Sequence, residues 1–262
     1  MKTELILQHG WGFDETIWTA WLQQLNEIPD FDGVVQIADR GYFGNRQDLV
    51  GFCPGRSLKV VVAHSLGLHF LPEKVLTKTD LLVIISGFSA FHMGAPLSLR
   101  RSRKVVAHMK DKLVSRPAEV LSDFFASCYK PLSDSNCLLT GADPSTIDKE
   151  RLLGDLEVLD SSVLDLTTIK SIPSVLILSG SQDAVVSPAA SRALHQALPA
   201  SQLTVVCDAG HALPVSHANL CVFALRKALG RWKHLASSSF DQLLAPVRTL
   251  STSNLETCIA SN

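Results

Sequence analysis

The hydrophobic positions of this chain fall into short unbroken runs rather than alternating stripes. ELILQHG closes on Gly10, GVVQIAD on Asp39, LKVVVAHS on Ser65 and DLLVIISG on Gly87; SVLILSGSQD and QLTVVCDAGH come later. Each run is too short for a helix and rich in Val, Ile and Leu. That is the pattern of strands buried on both faces of a parallel sheet. The stretches between them are long enough for crossover helices, so the pattern predicts a doubly wound α/β sheet. Reactive groups collect at the carboxyl ends of such strands. His9, Asp39, Ser65, Asp183 and His211 all fall at or just past one.

Between Gly87 and Val175 the runs stop and helical spacing takes over. Val105, Val106, Met109 and Leu113 form one set, and Val120, Leu121, Phe124 and Phe125 the next. Pro117, with Ser115 upstream and Glu119 downstream, marks one helix start, and Asp143-Pro144 another. A helical cap over the sheet edge is therefore expected from about residue 90 to 168. Leu81 to Leu99 runs 19 residues without Asp, Glu, Lys or Arg, long enough to span a bilayer. Gly87, His92, Gly94 and Pro96 break it, and it reads as a buried strand followed by a loop. Residues 237–262 are rich in Ser and Thr, a loosely packed tail with a short helix expected at FDQLLAPV. Residues 1–236 read as one domain that includes the cap.

With 262 residues, 46% apolar and 19% charged, the chain has a globular composition and enough length for a sizeable core. A formal charge of −1 gives no overall pull toward nucleic acid or an anionic membrane. Neither is an expected partner, and a monomer is expected. Glu4, Gln8 and His9 interrupt the first apolar run too early for a secretory leader. Cys53, Cys128, Cys137, Cys207, Cys221 and Cys258 show neither C-x-x-C pairing nor Cys/His ligand spacing. Reduced thiols, no metal, no cofactor and a cytoplasmic location are the expectation.

VVVAHSLG, residues 60–67, places a hydroxyl directly after a Val-rich strand, with Ala63 and Gly67 on its flanks. Small residues are needed there because strand and following helix approach closely around a strained turn that presents a nucleophile. A strand that simply ends in a turn has the same letters. A Ser hydroxyl also needs a base. His211, in DAGHALPVSH, follows the last strand, and Asp183, in SGSQDAVVSP, follows the strand before it. The order Ser, Asp, His is the hydrolase order. His64 is adjacent to Ser65 and is expected to point elsewhere; His217 sits on what reads as the next helix. Asp208 reads as a turn residue, and Asp39 is the second choice for the acid. Oxyanion donors are expected from the backbone N–H of Leu66 and of Trp11, the latter in the QHGWGFDETIW loop, where His9-Gly10 lets the chain turn back.

With these motifs in order, residues 3–235 resemble the α/β-hydrolase superfamily. More closely they are similar to the biotin-pathway esterases that demethylate pimeloyl-carrier-protein methyl ester, through LQHGWGFDETIW, AHSLG, LEVLDSSVLDL and DAGHALPVSH. The resemblance implies an α/β-hydrolase fold with a mostly parallel sheet and a helical cap. It implies ester hydrolysis by Ser65, His211 and Asp183, with Trp11 and Leu66 as oxyanion donors and a carrier-bound methyl ester as substrate. Trp11, Met109, Leu113 and Phe124 are the candidate acyl-binding residues. The chain departs from the pattern by beginning at the strand before HGWG, by a short Gly44–Arg56 stretch, and by Leu68 and Pro72 after the elbow.

Residues 100–116 hold seven Lys or Arg against the single acid Asp111. On a helix, Arg100, Lys104, His108 and Lys112 share one face, and Val105, Met109 and Leu113 another. A solvated basic helix has this pattern. So does a docking surface for an acidic carrier protein, with Arg100, Arg101, Arg103 and Lys104 as its contacts. A lyase of the menaquinone-pathway type, a general esterase, or a hydrolase fold kept only for binding are the competing readings, because the scaffold is shared among chemistries.

Overall fold

The computed structural model describes residues 2–26, 33–44, 46–132 and 146–237. Each of the six apolar runs is a strand: β1 (Thr3–Gln8), β2 (Gly33–Arg40), β4 (Leu58–His64), β5 (Leu81–Ile85), β6 (Ser174–Gly180) and β7 (Ser201–Val206). A two-residue strand, β3 (Arg46–Gln47), has exposed side chains and no apolar signal, and it pairs antiparallel at the edge. The sheet order is β3-β2-β1-β4-β5-β6-β7, and every other pairing is parallel.

Burial explains the unbroken runs. β1 and β5 are buried along their whole length, and β4 everywhere except Lys59. Successive side chains point to opposite faces of a strand. Ile6, Val61, Ala63, Leu82, Ile84, Val175 and Ile177 accordingly pack as one core with Leu68, Val75, Ile169 and Leu194. The register places Gln8 beside Ala63, Ala63 beside Ile84, and Ile85 beside Leu178, so the strand ends line one edge.

The helices are α1 (Thr19–Asn26), α2 (Glu73–Leu76), α3 (Pro96–Ser115), α4 (Pro117–Cys128), α5 (Lys149–Ser161), α6 (Thr167–Lys170), α7 (Pro188–Ala197), α8 (Leu213–Ser216) and α9 (Ala218–Ser237). The uncharged stretch from Leu81 is β5 and loop until Pro96 opens α3. Helices α3, α4 and α5 form the insertion, which enters and leaves through an antiparallel bridge between Ala90 and Val163. Pro117 starts α4. The expected start at Asp143-Pro144 lies outside the described residues; α5 is capped by Asp148, whose carboxylate accepts from the Arg151 N–H.

The inward stripe of α3 is narrower than its i+4 spacing suggests. Val106 and Leu113, seven positions apart, are buried, while Val105 is 58% exposed. With 3.6 residues per turn, positions seven apart nearly superpose, whereas i+4 steps drift around the helix. Met1–Ala228 forms one compact unit and Leu229–Asn262 a second. The expected helix at FDQLLAPV lies outside the described residues. No described helix is long and apolar enough to cross a membrane.

Candidate active site

Strand β4 ends at His64, and Ser65 follows with φ of +54°, the left-handed region that few residues other than glycine occupy. The turn is possible because its neighbours lack side chains. A Cβ on Gly67 would lie 2.6 Å from the His9 carbonyl oxygen, and one on Gly10 would lie 2.8 Å from the Ser65 Cβ. Ala63, where a glycine is commoner, is fully buried among the apolar residues of the sheet core.

The loops after β6 and β7 bring the other two groups to this turn. The Ser65 hydroxyl lies 3.0 Å from His211 Nε2, and His211 Nδ1–H donates to Asp183 Oδ2 at 2.8 Å. The second oxygen, Oδ1, accepts from the N–H groups of Val185 and Val186, each at 2.8 Å. Three donors thus fix the carboxylate, and His211 Nδ1 carries the proton, leaving Nε2 as the acceptor for Ser65. Ser65, Asp183 and His211 are all buried.

Asp39 does not face His211. It accepts from the N–H groups of Glu15 at 2.8 Å and Gly41 at 2.7 Å, and its Oδ1 sits 3.5 Å from His9 Nε2. His9 Nδ1–H donates to the Gly10 carbonyl at 2.8 Å, and its Nε2 accepts the Arg40 N–H at 3.0 Å. Asp208, at φ +53°, accepts from the Gln182 side chain on the surface, and His217 pairs with the Ser216 hydroxyl. His64 points away from Ser65: its Nε2–H donates to the His211 backbone carbonyl at 3.1 Å. Burial, and next the neighbouring His211, hold the His64 imidazole well below the ordinary histidine range.

Leu66 is the second residue of the 3₁₀ helix Ser65–Phe70, in the first turn, where an N–H has no partner within the helix. No acceptor for the Trp11 backbone N–H occurs among the described residues. The Trp11 indole Nε1–H donates to the Leu152 carbonyl of α5 at 2.9 Å, and its ring meets Phe124 edge-on at 4.9 Å. A cavity of about 440 Å³ opens onto Ser65, walled by Trp11, Phe124, Met109, Val120, Leu156 and Val185. Lys104, His108 and Lys112 of α3 and Asp123 of α4 also line it. Leu113 is not on its wall; it is fully buried in the cap.

The basic run is thinner in space than in sequence. Lys110 pairs with Glu157 and Asp160, Lys112 with Glu119 and Asp123, and Arg116 with Glu119. Arg100, Arg101, Arg103 and Lys104 are exposed, and no acid pairs with them among the described residues. Of these four, Lys104 also reaches the cavity wall.

The contacts that tie cap to sheet left almost no signal in the sequence. Arg40 Nε and Nη2 donate to Asp155 of α5 at 2.8 and 2.5 Å, and the Tyr42 hydroxyl donates to the same carboxylate at 2.6 Å. Burial, reinforced by that carboxylate, pushes the Tyr42 phenol well above its ordinary range. The Ala212 N–H, next to His211, donates to the Cys128 carbonyl at the end of α4. Asp155 in the run GDLEVLD was the one available hint: an acid between buried Leu152 and Leu156.

No family model matches the chain, and no curated protein matches it. Solved structures do. A bromoperoxidase from Bacillus anthracis is 15% identical, with a TM-score of 0.69 over 88% of this chain and 92% of that one. An esterase from Exiguobacterium antarcticum is 12% identical, with a TM-score of 0.69 over 87% and 92%. An enol-lactonase from Burkholderia xenovorans LB400 is 16% identical, with a TM-score of 0.65 over 88% and 92%. At such identities the likeness is one of fold: the chain has the α/β-hydrolase fold.

Proposed function

We propose that this chain is a serine carboxylic ester hydrolase that removes the methyl group from a pimeloyl-carrier-protein methyl ester. The observation that carries the hydrolase reading is the unbroken chain Asp183–His211–Ser65 at the floor of an apolar cavity. Ser65 attacks the ester carbonyl as His211 Nε2 takes its proton; Asp183 holds the ring and stabilises the imidazolium. The N–H groups of Trp11 and Leu66 receive the oxyanion, each worth about 3–4 kcal/mol in such sites. Methanol leaves with the proton from His211, and water then releases the acid by the same route. No metal or cofactor enters these steps.

Two features support the finer assignment. The cavity wall is mostly apolar, which suits an acyl chain, and the cations Arg100, Arg101, Arg103 and Lys104, with no acid partner among the described residues, lie on the helix that forms one of its walls. An acidic carrier protein and the phosphate of its arm would meet that helix. On this reading the enzyme acts as a cytoplasmic monomer.

The test is methanol release from methyl-pimeloyl carrier protein. Wild type should release it, and Ser65→Ala should lose on the order of 10⁶ in turnover. No release by folded wild type overturns the substrate assignment. Reversing charge at Arg100, Arg101 and Arg103 should slow the carrier-bound ester and spare a small soluble ester. Equal loss on both removes the docking role.

A further inference from the structure

The reaction as derived uses the ring of His211 and leaves its backbone unexplained. That backbone carbonyl accepts two hydrogen bonds from the ends of two adjacent strands. His64 Nε2–H, from the end of β4, reaches it at 3.1 Å, and the Ser86 hydroxyl, just after β5, at 3.5 Å. His64 is fully buried, and its Nδ1 has no partner among the described residues. The whole polar capacity of a buried imidazole is therefore spent on one bond. An apolar side chain of similar size would avoid the cost of the unpaired nitrogen. The ring is confined by Phe13, edge-on at 5.2 Å, and by the His211 ring at 4.9 Å. Ser86, like Ser65, is a non-glycine residue at positive φ, +50°, and its strained backbone lies one strand over from the nucleophile.

We infer that His64 is a positioning residue for the catalytic base, holding the His211 backbone through this carbonyl so that Nε2 stays against the Ser65 hydroxyl, with Ser86 as a weaker second hold. The inference rests on the Ser65–His211 reaction proposed above. His64 touches neither substrate nor the transferred proton, and loosening it lowers the rate of the step that His211 drives without changing how a ligand fits the cavity.

The test uses the full chain and a fluorophosphonate that labels Ser65, read as the saturating labelling rate and the half-saturating probe concentration. His64→Leu, which keeps volume and removes the donor, should label about tenfold more slowly at saturation, the size of one lost hydrogen bond. Its half-saturation should be unchanged. His64→Gln, whose amide nitrogen falls near the imidazole Nε2, should stay within about threefold of wild type, while the shorter His64→Asn should behave like Leu. Ser86→Ala should slow labelling less, and the double variant less than the product of the two, because both act on one carbonyl. The inference is overturned if His64→Leu labels at the wild-type rate, if Gln falls as far as Leu, or if the loss lies in half-saturation. Should His64→Leu fail to fold, Gln against Asn decides the matter alone. Wild type that does not label would refute the nucleophile itself, a result distinct from any difference among variants.

Discussion

Two carboxylate–histidine pairs sit along the same sheet edge, one after β6 and one at the end of β2. Asp183 and Asp39 are both buried, and each takes two backbone N–H groups at normal hydrogen-bond distance. Each also faces an imidazole. They differ at the histidine. His211 spends one nitrogen on its carboxylate and keeps the other for the Ser65 hydroxyl. His9 spends both on backbone, donating to Gly10 and accepting from Arg40. In the proposed reaction the first pair is a base and its support; the second is a clamp on the loop carrying Trp11. What separates the two pairs is a single lone pair, free of backbone partners in His211 and aimed at the Ser65 hydroxyl.

The largest expected effect tests that distinction directly. Asp183→Asn should lower kcat on a soluble ester by about 10⁴, since the amide no longer holds His211 in the required tautomer. Asp39→Asn should lower it by less than about tenfold while reducing the melting temperature, because its loss falls on loop structure. Equal kinetic losses would erase the contrast.

A third histidine extends the comparison through pH. His69 Nε2–H donates to the Phe88 carbonyl and its Nδ1 accepts from the Ser162 hydroxyl, so both nitrogens are committed. Burial lowers its pKa from 6.5 to about 4. The unfolded chain therefore takes up the proton first, and the stability contributed by the neutral ring is complete above pH 6.5. It is lost as pH falls from 6.5 through 4, by about 3 kcal/mol for a shift of this size. Denaturant midpoints at pH 7 and pH 4 should diverge more in wild type than in His69→Gln. Parallel curves would show that the ring is not what senses the pH.

The smallest effect concerns the clamp. His9→Asn keeps a donor for the Gly10 carbonyl and removes the acceptor of the Arg40 N–H. An unpaired buried N–H costs about 1–3 kcal/mol. Chemical denaturation should show that loss, with kcat on a soluble ester changed by less than about tenfold. A larger fall in kcat would mean that the Arg40 bond also sets the Trp11 loop.

The sequence showed the sheet clearly for a physical reason: strands buried on both faces carry apolar residues at successive positions through their middles, so β1, β4 and β5 stand out as letters. The same runs end along one sheet edge, which made the meeting of Ser65, Asp183 and His211 readable. Asp39 stayed in contention because it too follows a strand; only the folded chain shows that it faces His9, while His211 faces Asp183. Edge strand β3 was invisible because two exposed residues carry no pattern. In the cap, i+4 spacing grouped Val105, Met109 and Leu113, while the helix sets a largely exposed Val105 and Met109 on the cavity wall and turns Leu113 into the core. Buried polar contacts such as Arg40–Asp155 join residues far apart in the chain, and local pattern has no access to them.

The bond from the Ala212 N–H to the Cys128 carbonyl makes the cap a poor candidate for modular exchange. A Cβ on Gly210 would fall 1.8 Å from the Lys130 carbonyl oxygen, so this loop and the end of α4 are fitted backbone to backbone. A transplanted cap would have to bring its own carbonyl to that spot and leave room for a bare glycine beside the base. Recombining caps between scaffolds of this kind would succeed only where the α4 terminus travels together with the histidine loop.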